Sequence, residues 1–85
     1  METGIHNRIR NSRELVLRGY SQPVDLMIRN IASFSGNDLK IDPTIKEVGD
    51  FDFQRVDWEV ALMRIAGRFN LDIELSPGLI TVKRR

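Results

Sequence analysis

Asp50-Phe51-Asp52-Phe53-Gln54-Arg55-Val56-Asp57-Trp58-Glu59-Val60-Ala61-Leu62 is the stretch whose reading decides the fold. Its first half alternates, with Phe51 and Phe53 on one side and Asp50, Asp52 and Gln54 on the other, the two-residue period of a half-buried strand over Val48 to Gln54. The period then changes. Asp57 is a good N-cap, and Trp58, Ala61, Leu62, Ile65, Ala66 and Phe69 trace one apolar stripe of a helix, with Glu59 placed to complement its dipole. A strand running directly into an amphipathic helix is therefore predicted.

Downstream, Leu71, Ile73 and Leu75 alternate with Asp72 and Glu74, Ser76-Pro77-Gly78 makes a turn, and Leu79 to Val82 returns, which predicts a C-terminal hairpin. Upstream, Leu39 and Ile41 alternate with Asp38, Lys40 and Asp42 in a short strand closed by Pro43. Before it, Val24, Met27, Ile28, Ile31, Ala32 and Phe34 or Ser35 keep the spacing of one buried helical face. Ser21 or Gln22 is the candidate cap of that helix, Pro23 its candidate first residue, and Gly36 and Asn37 its stop. From Glu14 to Tyr20 a first strand of about five residues is expected around Leu15, Val16 and Leu17. The order is βαββαββ, an α+β class, in which two helices must share one core with the strands.

Eighty-five residues allow one such core and no second one. Hydrophobic residues at 41% and charged residues at 29% place the chain among globular domains, away from disordered chains and membrane spans. Thirteen Lys and Arg against twelve Asp and Glu leave no long-range field to gather polyanions, so nucleic acid is not the default partner. The absence of cysteine removes disulfides, thiolate nucleophiles and cysteine-based metal sites. Residues 1–13, with Arg8, Arg10 and Arg13, read as a flexible basic arm, and residues 14–85 as the folded domain. The arm contains no apolar run of the kind that forms the centre of a signal peptide.

The run Val56-Asp57-Trp58-Glu59-Val60-Ala61-Leu62, behind the strand Asp50 to Gln54, resembles the secretin N-terminal domain, also called the secretin and TonB short N-terminal domain. In that family a strand leads to a valine, a tryptophan two residues on, then Ala-Leu within a helix, followed by a hairpin. Here Val56, Trp58, Ala61, Leu62, the helix exit at Asn70-Leu71 and Leu79-Ile80-Thr81-Val82 occupy those places, and Pro23 to Asp42 is similar to the family's first helix and following strand. Asp57 stands where secretins often carry proline, and Arg68-Phe69-Asn70 replaces a glycine-containing helix exit. The resemblance spans about Leu15 to Lys83. It implies two helices between a mixed three-stranded sheet and a two-stranded sheet.

What the resemblance implies for function is a non-catalytic docking domain at the periplasmic end of an outer-membrane channel, meeting inner-membrane or pilus components of a secretion system. The alternative within the family is the signalling domain of a TonB-dependent transducer, which contacts an inner-membrane regulator. A further alternative is a small nucleic-acid binder using Arg8, Arg10 and Arg13 with Lys83, Arg84 and Arg85, although Tyr20 alone makes no base-stacking platform. The bland reading of those charges is solvated termini.

Catalytic chemistry finds no support. His6 is the single histidine and has no Cys or second His beside it to complete a metal site. Asp38, Asp42, Asp50 and Asp52 fit solvated strand faces, with no EF-hand loop spacing, and Gly36 and Gly78 are isolated turn glycines rather than a phosphate loop. The serines lack a positioned base. Neither a cofactor nor a metal is called for. Trp58 heads the second stripe, which favours core packing over an exposed anchor, and Met63 falls off that stripe where Met27 lies on the first. Function is therefore expected in a surface, and the first strand is the candidate edge, with Arg13, Leu15, Leu17, Arg18 and Tyr20 as its partner-binding residues.

Overall fold

The computed structural model describes residues 13–85. In chain order these are β1 (Glu14–Pro23), α1 (Val24–Ser35), β2 (Asp38–Ile41), β3 (Val48–Asp57), α2 (Trp58–Phe69), β4 (Leu71–Ser76) and β5 (Leu79–Arg84). β1 and β3 pair antiparallel as a two-stranded sheet. The second sheet runs β2-β5-β4, with β2 parallel and β4 antiparallel to β5. The α+β class and the βαββαββ order are those read from the sequence, and the sheet composition is the one the resemblance implies.

Both helices bridge the sheets, α1 against β1 and β2 and α2 against β3 and β4, and they touch each other. Their stripes supply Val24, Met27, Ile28, Ile31 and Ala32 from α1 and Ala61, Leu62, Ile65 and Ala66 from α2. Leu15, Phe51 and Phe53 close the core from one sheet and Leu71, Ile80 and Val82 from the other. Trp58 is half-buried against this core, and Met63 is exposed.

Local signals set most boundaries. The Asp57 carboxylate accepts the Glu59 N–H at 2.9 Å, capping α2, and Asn70 ends it in the left-handed region at φ 61°. α1 closes on Gly36 at φ 76°, with Gly36 N–H on Ser33 O and Asn37 N–H on Ala32 O, the paired bonds of a Schellman motif.

Several boundaries differ from the expectation, among them the end of β5, which runs to Arg84 rather than stopping at Val82. β1 does not stop at Tyr20 but continues to Pro23 through a bulge between Gly19 and Gln22. Ser21 takes φ 52° there and donates its N–H to the Asp50 carboxylate at 2.8 Å, so β3 holds the bulge in place. Pro23 consequently occupies the position before α1, with ψ 134°, and neither Ser21 nor Gln22 caps the helix. The Val24 N–H is satisfied instead by the Glu47 carbonyl at 2.8 Å. β3 likewise runs on past Gln54 to Asp57 by leaving Arg55, at φ 55°, unpaired opposite the step from Leu15 to Val16.

Arg84 at the end of β5 is more than a solvated terminal charge. Its guanidinium bonds the Glu47 carboxylate at 2.8 and 3.0 Å, the Thr44 carbonyl at 2.6 Å and the Thr44 hydroxyl at 3.1 Å. This pins the loop that inserts Ile45, 1% exposed, into the core. The Arg84 side chain holds the Glu47 carboxyl down at about 2. Arg85 is tied to Asp72, Asn70 and Leu71 O, so two of the three basic residues at this end are already engaged. Arg8 and Arg10, the other half of the proposed basic patch, and the flexible arm itself lie outside the described residues, as does His6.

Candidate protein-docking edge

A two-stranded sheet has a free edge on each strand, and each edge carries unpaired backbone groups that a further strand could take up. The two edges here are treated differently. Beside β3, Arg64, Ile65 and Arg68 of α2 line a hollow of about 240 Å³ with Asp50 to Phe53. Arg68 donates to the backbone carbonyl of Asp50 and lies 5.5 Å from the Phe51 ring and 5.0 Å from the Phe69 ring. A cation seated on the strand edge and held by two rings obstructs strand addition there.

Beside β1, the neighbouring helix is α1, and the groove is apolar. Leu15, Val16, Leu17, Asn30, Ile31 and Phe34 line about 140 Å³. Among the described residues no side chain bonds the backbone from Leu15 to Gly19. Val16, at 65% exposure, and Phe34, at 42%, present apolar surface on either side of this groove.

The five residues expected to bind a partner take different positions. Arg13 is committed within the domain: its guanidinium bonds Asp57 at 2.8 and 3.2 Å and Glu59 at 3.1 Å, lies 5.5 Å over the Trp58 ring, and its carbonyl accepts the Trp58 N–H. The Asp57 bond raises the Arg13 pKa, and the Arg13 bond lowers that of Asp57. Arg13 thus anchors the start of β1 to the head of α2 and belongs with the domain rather than with the arm. Leu15 points into the core at 3% exposure, so only its backbone is offered at the edge. Leu17 is half-buried over the groove, while Arg18 and Tyr20 stand on the outer face with Val16. Arg18 pairs with Asp52 across the sheet at 3.3 Å.

Sequence reasoning missed Val16, Asn30 and Phe34 as groove residues and Arg68 as the cover of β3. Val16 was legible as the outward residue between two inward leucines, and Phe34 as the last residue of a helical stripe. Asn30 and Arg68 required knowledge of which helix lies under which strand.

Asp42, Asp50 and Asp52 serve local structure. Asp42 accepts from the Thr44 N–H and hydroxyl, which lower its pKa, Asp50 holds Ser21, and Asp52 holds Arg18. Among the described residues no three His, Cys, Asp or Glu side chains form a metal-holding group, and no helix is long and apolar enough to cross a membrane.

No family model matches the chain, and no curated protein matches it. Solved structures share its fold. Two crystal structures of a protein described as a "putative anti-sigma factor", from Parabacteroides distasonis, superimpose with TM-scores of 0.73 and 0.72 at 11% identity. Each match covers 93% of this chain and 38% of the solved one, so this chain spans well under half the length of those proteins. At that identity the likeness establishes a common fold.

Proposed function

We propose that this chain is a non-catalytic docking domain of the bacterial envelope that receives an extended segment of a protein partner along the free edge of β1. The observation that carries the reading is the contrast between the two sheet edges: Arg68 occupies that of β3, while that of β1 lies beside the apolar groove under Phe34. Backbone bonding would supply affinity, and the groove would select one apolar side chain of the incoming strand. The resemblance of Val56 to Leu62 to secretin N-terminal domains supports a place in an outer-membrane secretin or a related secretion or pilus component, on the periplasmic side, with inner-membrane partners.

A second reading is favoured by a separate observation. The two solved structures that share the fold are each described as a "putative anti-sigma factor", which supports membership of a signalling route and a regulatory protein as partner, in line with the transducer alternative. Capture from envelope and cytoplasmic extracts, with the native chain and with R18E in parallel, separates the two. R18E is the appropriate probe because Arg13 holds the head of α2. R18E-sensitive retention of a secretion or pilus component supports the first reading, and of a sigma regulator the second. Retention that is indifferent to R18E and to F34A removes the β1 edge from the mechanism.

A further inference from the structure

The outer face of β1 carries Glu14, Val16 and Arg18, and Leu15 and Leu17 face the core side. Two copies of such a strand can pair antiparallel about a twofold axis only in registers that keep outward residues opposite outward ones or inward opposite inward. If the axis passes at Val16, Glu14 meets Arg18 of the second copy twice, and Leu15 meets Leu17 twice. An axis at Leu15 sets Glu14 against Val16, and an axis at Leu17 sets Val16 against Arg18. One register alone therefore matches charge with charge and apolar with apolar.

We propose that β1 pairs with β1 of a second copy of this chain in the Val16-centred register, forming a continuous four-stranded sheet in a symmetric dimer. This rests on the reading of β1 as the docking edge and names a competing occupant for it. The charges within each copy extend the match. Arg18 already pairs with Asp52 at 3.3 Å, and Glu14 with Arg55 at 3.6 Å. A row across the dimer then runs Asp52, Arg18, Glu14 of the second copy, Arg55 of the second copy, alternating in sign throughout. Opposite charges facing each other across strands are favourable, and like charges are not.

On the inner side, Leu15 stays in its own core and contributes backbone alone, while the half-buried Leu17 of each copy lies over the groove of Leu15, Leu17, Ile31 and Phe34 of the other and covers the exposed part of Phe34. The pairing also closes. Arg68 blocks the outer edge of β3 in each copy, so the sheet gains no fifth strand and the contact yields a dimer rather than a fibre. The paired segment is short, well below the roughly 1,200 Å² of a standard stable interface, so association is weak, with a dissociation constant on the order of 100 μM. A dimer of that strength holds the edge in reserve and yields it to a tighter protein partner.

Sedimentation equilibrium of the native chain, followed from about 10 μM to about 1 mM around that expected constant, should show the weight-average mass rising towards twice that of the monomer. E14R and R18E each place like charges opposite each other in both rows and should weaken association at least tenfold. Mixed in equal amounts, the two variants restore carboxylate opposite guanidinium in both rows, and the dimer should return as a heterodimer. The mixture leaves the fold of each variant unchanged, so recovery cannot come from repaired folding. A native chain that stays monomeric throughout, a dimer untouched by either variant, or a mixture that fails to associate overturns the proposal. R18E-sensitive capture of a protein partner, combined with a monomeric native chain, would overturn self-pairing while leaving the docking reading in place.

Discussion

Arg68 donates to the carbonyl of Asp50 from a position over the adjoining rings of Phe51 and Phe69. A residue in the last turn of α2, where a cation also complements the helix dipole, thereby covers the backbone of a strand in the neighbouring layer. The two-stranded sheet is small and needs a second edge protected if only one is to be used. Asp50 is a pivot for both edges, since its carboxylate fixes the Ser21 bulge of β1 while its carbonyl receives Arg68.

Removing that cover should create a second sticky edge. R68A is expected to lose about 1 kcal/mol from the two ring contacts, lowering the melting temperature by roughly 4–8 °C for a domain of this size. Combined with R18E, which closes the β1 route, R68A should still associate more strongly than R18E alone in sedimentation or light scattering. Equal association of the two would show that Arg68 packs without guarding the edge.

Gly49 supplies the space on which this arrangement rests. A Cβ there would lie 2.7 Å from Cζ of Phe69 and 3.3 Å from Nη2 of Arg68. The Phe69 ring is itself held against Phe51 at 5.9 Å, so it cannot swing away without loosening Arg68. G49A should destabilise by about 1–3 kcal/mol, the usual cost of overpacking, in urea titration. It should also reproduce part of the association expected for R68A.

The clamp at the other end of the molecule makes stability depend on acid. Arg84 holds the Glu47 carboxyl at about 2, against an ordinary 4.5, so the folded state binds the proton more weakly than the unfolded state. This contribution is fully present above pH 4.5 and is lost as pH falls through about 2. E47Q should be less stable than the native chain at neutral pH, and the two curves of unfolding midpoint against pH should converge between those values. Parallel curves would mean that the pair adds nothing. Because Thr44 and Glu47 flank Ile45, E47Q should also speed hydrogen exchange in the loop from Asp42 to Glu47.

The parts of this fold that were legible in the sequence are those fixed by residues close together along the chain. Phe51 and Phe53 announce a strand because alternation needs only a few neighbours, and Trp58 to Phe69 announces a helix with its cap at Asp57 for the same reason. What was not legible depends on distant groups. Ser21 adopts its left-handed conformation because Asp50 accepts its N–H, and this lengthens β1 and moves Pro23 out of the helix. The parallel pairing of β2 with β5 has no local signature in Asp38 to Ile41; the family resemblance implied only that the three-stranded sheet is mixed. The proposed docking edge was half legible. Arg18 and Tyr20 lie on its outer face, but the groove needs Asn30 and Phe34 from α1, and Arg13 is engaged at the surface by Asp57 and Glu59 at the head of α2.

That head carries two functions on one carboxylate, and substitutions can separate them. Asp57 caps α2 by accepting the Glu59 N–H and also receives the Arg13 guanidinium, whose bond is the main reason its pKa is lowered. Asparagine is as good an N-cap as aspartate but pairs poorly with arginine, so D57N removes the ion pair and keeps the cap. The Arg13 side chain is about half exposed, which screens the pair and limits its worth. D57A should therefore cost about 1 kcal/mol or more for loss of the cap, and D57N clearly less. R13A should resemble D57N in stability yet alter Trp58 emission, because it strips the cation from above the ring while leaving the backbone bond from Trp58 to the carbonyl of residue 13. If D57N proves as damaging as D57A, the ion pair rather than the cap fixes the start of α2, and the β1 edge depends on Arg13 for its position as well as for its anchor.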